Sequence, residues 1–103
     1  MSDTIPDSDV EFLRWAQKFT SFLSANATVL EVLPIQVTAI QEMVNDFESA
    51  LTAFTYRTGA NVKSTKEYKN FSRSTTEETI RLLIHQIRSN SNIPEKIKHE
   101  IIS

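Results

Sequence analysis

The chain has 103 residues, 40% of them hydrophobic, with 11 basic and 13 acidic side chains, one glycine and no cysteine. A chain of this length fits one domain that buries roughly 60 to 70% of its unfolded surface. Without cysteine there is no disulfide framework, thiolate nucleophile or Cys-based zinc site, and so little turn chemistry excludes an all-β sandwich or barrel.

The opening MSDTIPDSD is acidic and polar, not the basic and then apolar start of a secretory signal. No window approaches the roughly 18 consecutive apolar residues of a membrane span. A soluble, cytoplasmic chain with no membrane partner is the expectation, with residues 1–7 a flexible N-terminus and 1–103 a single helical-bundle domain. The sequons at Asn26 and Asn70 are then chance tripeptides.

A first helix is announced by Ser8 and Glu11 at capping-box spacing, with acids that suit the positive end of the helix dipole. Phe12, Trp15, Ala16, Phe19, Phe22, Leu23 and Leu30 recur along it as one aromatic-rich stripe. It should fray between Ala27 and Leu33, because Pro34 biases Leu33 away from helical angles; Pro34 itself suits the first turn of the next helix. That second helix carries Val37, Ile40, Val44, Phe47, Leu51 and Phe54 at alternating steps of three and four, and runs to about Thr58, with Gly59 and Asn61 as the stop.

Ser64 and Glu67 repeat the capping-box spacing and start a third helix that runs to about Ser89. Ser74 to Glu78 reads as another N-cap, but one continuous helix is favoured because its length then matches the second. Ile80, Leu83, Ile84 and Ile87 share one of its faces, while Tyr68, Phe71, Thr75 and Leu82 lie on another, the wide apolar face of a helix expected to touch two neighbours. Ile93 and Pro94 open a short fourth helix, Pro94 to about Ile102, with Ile97 and Ile101 inward. Leu33-Pro34 and Ile93-Pro94 echo each other as helix-to-helix corners.

Apolar stripes of this kind belong first to a domain's own core, yet the same spacing serves a seam with another chain. Charge is uneven: residues 1–50 are net −6 and residues 51–103 net +4, so the halves attract. The densest basic stretch holds Arg57, Lys63, Lys66, Lys69 and Arg73 around Tyr68 and Phe71, a composition that could grip phosphates and stack on a single strand. The overall pI near 5.6 argues against nucleic acid and for a solvated corner.

Catalytic patterns are missing. His85 and His99 make neither a Glu-x-x-His nor a His-x-x-x-His arrangement, Glu77 and Glu78 point about 100° apart on a helix, and Gly59 stands alone without a phosphate loop. No cofactor, metal, small-molecule substrate or enzymatic role is expected.

The run Asp9-x-x-Phe12-x-x-Trp15-x-x-x-Phe19, with Asn26-Ala27, Pro34-x-x-Val37, Ile80-Arg81, Ile87, Asn92 and Pro94, resembles a group of bacterial helical modules of uncharacterised function. In that group the pattern covers nearly this whole length, and some members precede fibronectin-type or other β domains. The middle third here, with Arg57, Gly59, Tyr68 and Phe71, is less alanine-rich than the group's usual helices. The resemblance implies a helical bundle used as a building or docking module and assigns no catalytic or ligand residue. The expectation is therefore an all-α up-and-down bundle of three main helices plus a short fourth. It would be a structural or protein-interaction module that meets another protein chain or itself through Trp15, Phe22, Tyr68, Phe71 and Leu82, with single-stranded nucleic acid at 57–73 as the alternative.

Overall fold

The computed structural model describes residues 5–56 and 62–102; the side chains of Val62, Lys63 and Ile102 also fall outside it. Among the described residues four helices follow one another: α1 (Asp9–Leu30), α2 (Pro34–Thr55), α3 (Val62–Ser89) and α4 (Glu95–Ile102). α2 packs along both α1 and α3 in an up-and-down bundle that measures 52 × 26 × 17 Å. No described residue is in a strand. Among the described residues no helix is long and apolar enough to cross a membrane.

Local chemistry sets most of the helix ends. Ser8 is extended, and its Oγ accepts from the Glu11 N–H at 3.2 Å, which satisfies one of the orphan donors of α1. Glu11 does not reach back to the Ser8 backbone as in a full capping box; its Oε1 accepts from the Ser8 hydroxyl. At the far end Glu31 adopts φ 56° and ψ 40°, the Glu31 N–H reaches Thr28 O at 3.2 Å, and the Val32 N–H reaches Ala27 O at 3.0 Å. This is a Schellman close built on a glutamate where glycine is usual. One turn earlier Asn26 leaves helical angles (φ −120°, ψ 18°) while its Nδ2 donates to Phe22 O at 2.9 Å, so α1 carries a kink that hydrophobic spacing did not foretell.

α2 begins at Pro34, as expected, and the Leu33 N–H donates to Gln36 Oε1 at 2.9 Å. It is helical to Thr55, short of the expected Thr58; Arg57, Gly59 and Asn61 lie outside the described residues. α3 is already helical at Val62, so Ser64 is inside the helix and not its N-cap, and the helix continues without a break through residues 72–76. The echo between the two proline corners holds in sequence but not in packing. Leu33 is 61% exposed whereas Ile93 is 2% exposed, and α4 starts one residue after its proline while α2 starts on its own. The Asn90 side chain closes the second corner by accepting from the Asn92 N–H, and its Nδ2 donates to Glu31 Oε1 at 3.1 Å, which ties the two corners together.

The core follows the stripes. Phe12, Ala16, Phe19, Leu23 and Leu30 from α1 meet Val37, Ile40, Val44 and Phe47 from α2 and Ile80, Leu83, Ile84 and Ile87 from α3, with Ile93 and Ile101 at one end. Phe12 and Phe47 are fully buried and pack edge to face with centroids 5.5 Å apart. Thr20 and Thr76 are buried as well, and each hydroxyl donates to the carbonyl four residues back, Ala16 and Ser72, at 2.7 Å. Those bonds remove the penalty of an unpaired hydroxyl in an apolar seam.

Candidate docking face

Of the two faces read for α3, the first is buried as expected, but the second is turned outward instead of onto a second neighbouring helix. Ile80, Leu83, Ile84 and Ile87 are buried, while Tyr68, Phe71 and Leu82 are 55%, 69% and 67% exposed. On a helix, positions 68, 71, 75 and 82 fall within about a sixth of a turn of one another, so the exposed side chains make a continuous flank. The register of α2 against α3 sets the Thr76 hydroxyl 3.5 Å from Met43 O. It brings Met43 and Asp46 of α2 against this flank, and together with Tyr68, Phe71, Ser72, Thr75 and Thr76 they line a shallow cleft of about 130 Å³. Enclosed small-molecule sites run to about 300–1,000 Å³, so a cleft this size takes a side chain and not a substrate. Ile35, 73% exposed near the start of α2, lies on the same side of that helix as Met43 and Asp46. It was not singled out from sequence, although its displacement from the Val37–Ile40–Val44 stripe is legible there.

Trp15 and Phe22 do not join this face. Both are half-buried against the core on the flank of α1 that meets α4. Trp15 stacks on Phe19 with centroids 5.4 Å apart and ring planes 7° from parallel. With Lys18, Phe19, Glu100 and Ile101 they line a separate groove of about 250 Å³. The five expected contact residues therefore divide into three outward side chains on α3 and two packing side chains beneath α4. A wider depression between α1 and α2, about 570 Å³, is lined by Gln17, Thr20, Ser21, Ser24, Ala25, Gln41, Val44 and Asn45, none of which carries a charge.

The basic stretch is reordered by the fold. Lys66 is exposed, Arg57 falls outside the described residues, and so does the side chain of Lys63. Lys69 and Arg73 turn inward to α1. Lys69, 7% exposed, forms an ion pair with Asp9 and sits 4.5 Å above the Phe54 ring. Arg73 spreads its guanidinium over Asp9 Oδ1 (2.8 Å), Glu77 Oε2 (2.8 Å) and the carbonyls of Pro6 (2.6 Å) and Asp7 (2.8 Å), above the Phe12 ring at 4.6 Å. These two cations are not presented to an outside phosphate. The same contacts hold Pro6 and Asp7, expected from sequence to be part of a flexible N-terminus, against α3, and Ile5 packs on the core. Partial burial alone pushes the Asp9 carboxyl up, but the hydrogen bonds and charges of Lys69 and Arg73 outweigh it and hold it below the ordinary value. Burial likewise lowers the Arg73 guanidinium, and Glu77 and Asp9 more than restore it. No local motif could have revealed this cluster, since its partners are about sixty residues apart.

His85 and His99 are both exposed. Comparison with protein-family models, with curated proteins and with solved structures returned no match.

Proposed function

We propose that this domain is a non-catalytic docking module of the cytoplasm that presents the α2/α3 flank to another protein. The observation that carries the reading is the outward row of Tyr68, Phe71 and Leu82 on a helix whose opposite face is already filled by its own core. Large apolar side chains gathered on one flank, and not scattered, are what interaction surfaces offer, and aromatics are favoured anchors in them. The resemblance to bacterial helical modules agrees with a building or docking role.

A photo-crosslinking amino acid at Phe71 tests the reading, with one at Ser21 on the uncharged α1/α2 side as control. Discrete crosslinked species at position 71, absent at 21 and abolished by Leu82→Asp, are expected. Equal crosslinking at both positions would dismiss the flank as a docking surface. In the nucleic-acid alternative, Lys63, Lys66 and Lys69 changed to Glu would remove salt-dependent binding of a single strand; no such binding is expected from the unaltered chain, because Lys69 and Arg73 are already paired within the domain.

A further inference from the structure

If the α2/α3 flank takes a partner, as the docking reading has it, the charges around that flank say which kind. α2 contains no lysine or arginine, and its exposed Glu42 and Asp46 stand seven and eleven positions after Ile35, on the same side of the helix. On α3 the exposed Glu78 lies seven positions after Phe71 and four before Leu82, within the apolar row itself. No described cation lines the cleft between the two helices. Arg81, which reaches back to Glu77 at 3.3 Å, stands beside Glu78 and Leu82 at the margin of the face, and Lys69 is consumed by Asp9. The face is thus apolar with a border in net acidic excess, Glu42, Asp46 and Glu78 against Arg81, which Glu77 already engages.

We propose that this face, resting on that docking reading, binds an amphipathic helix whose apolar side chains are flanked by lysine or arginine. Complementary borders of opposite sign steer such a partner and reject acidic ones. A second copy of this chain is the poorer occupant, because two such faces laid together bring three acids from each against one arginine from each, itself engaged by Glu77. The length agrees with a helix as ligand: Tyr68 to Leu82 spans about 21 Å at roughly 1.5 Å per residue, the reach of about four turns. The apolar row would supply anchors at helical spacing, in the manner of a helix laid in a groove.

Two synthetic peptides of about 18 residues, alike in their leucine face but flanked by lysine in one and glutamate in the other, test this. Each is titrated into the isotopically labelled chain and followed by amide chemical shifts. The lysine peptide should bind saturably and at least about tenfold more tightly at low salt, with shifts along α2 and α3 and with the preference shrinking at high salt. Phe71→Asp should abolish binding while circular dichroism stays unchanged, and the combined Glu42→Lys, Asp46→Lys, Glu78→Lys chain should prefer the glutamate peptide. If the glutamate peptide binds as well as the lysine one and Phe71→Asp still abolishes both, docking stands and the basic partner is overturned. If neither binds, or the shifts fall elsewhere, the basic-helix inference is lost, and crosslinking at position 71 then decides the docking reading separately.

Discussion

Arg73 gathers distant parts of the molecule, since one guanidinium holds two carboxylates and two backbone carbonyls and covers an aromatic ring. Removing Asp9 as its partner leaves two cations short of an acceptor at a largely shielded site, so Asp9→Asn should cost about 1–3 kcal/mol, read as a lower urea midpoint. The pH dependence has a definite sign. Because the carboxyl lies lower in the folded chain than in the unfolded one, its contribution is complete above the unfolded value of about 3.9 and fades as pH falls through the depressed folded value. Between neutral pH and pH about 3 the Asp9→Asn chain should therefore lose less stability than the parent. Glu31 is the other telling residue. Its left-handed backbone costs a β-carbon about 1–2 kcal/mol, and its exposed bond to Asn90 returns only part of that. Glu31→Gly should raise the thermal midpoint by an amount equivalent to about 0.5–1 kcal/mol, whereas Glu31→Val should lower it.

At the scale of elements, α3 joins two chemistries on one rod. Leu82 is two-thirds exposed, so Leu82→Asp should change stability by no more than about 0.5 kcal/mol, while Phe47→Ala, at the buried crossing with Phe12, should cost about 3–5 kcal/mol. Thermal melts of both variants check the contrast. Much of this was legible before the fold was known. The stripe Val37, Ile40, Val44, Phe47 predicted the inner face of α2, and the Tyr68, Phe71, Leu82 row predicted a second face on α3, because side-chain direction on a helix follows from spacing alone. What spacing could not say was whether that second face met a neighbour or water. Nor could it separate Trp15 and Phe22, which share the α1 stripe but pack beside α4, from anchors that point outward. The Asn26 kink stayed hidden because it depends on a side chain competing for a backbone carbonyl. The expected N-cap at Ser64 misled because the same pattern is tolerated inside a helix.

The whole molecule turns the uneven charge of its two halves into a specific latch. Periodicity built the bundle, but Asp9 meets Lys69 and Arg73 only after α1 and α3 have been brought side by side by α2. That arrangement has a kinetic consequence. Helices adjacent in sequence can pair early at little entropic expense, whereas joining residues about sixty positions apart has the larger closure cost. The latch should thus form after the rate-limiting step, and Asp9→Asn should hasten unfolding while refolding keeps its pace in a stopped-flow chevron. A variant that slowed refolding instead would place the N-terminal segment in the nucleus. With the expected result, the Asp9 end of the first helix is a clasp fastened last, and its grip governs how long the native chain persists more than how quickly it is reached.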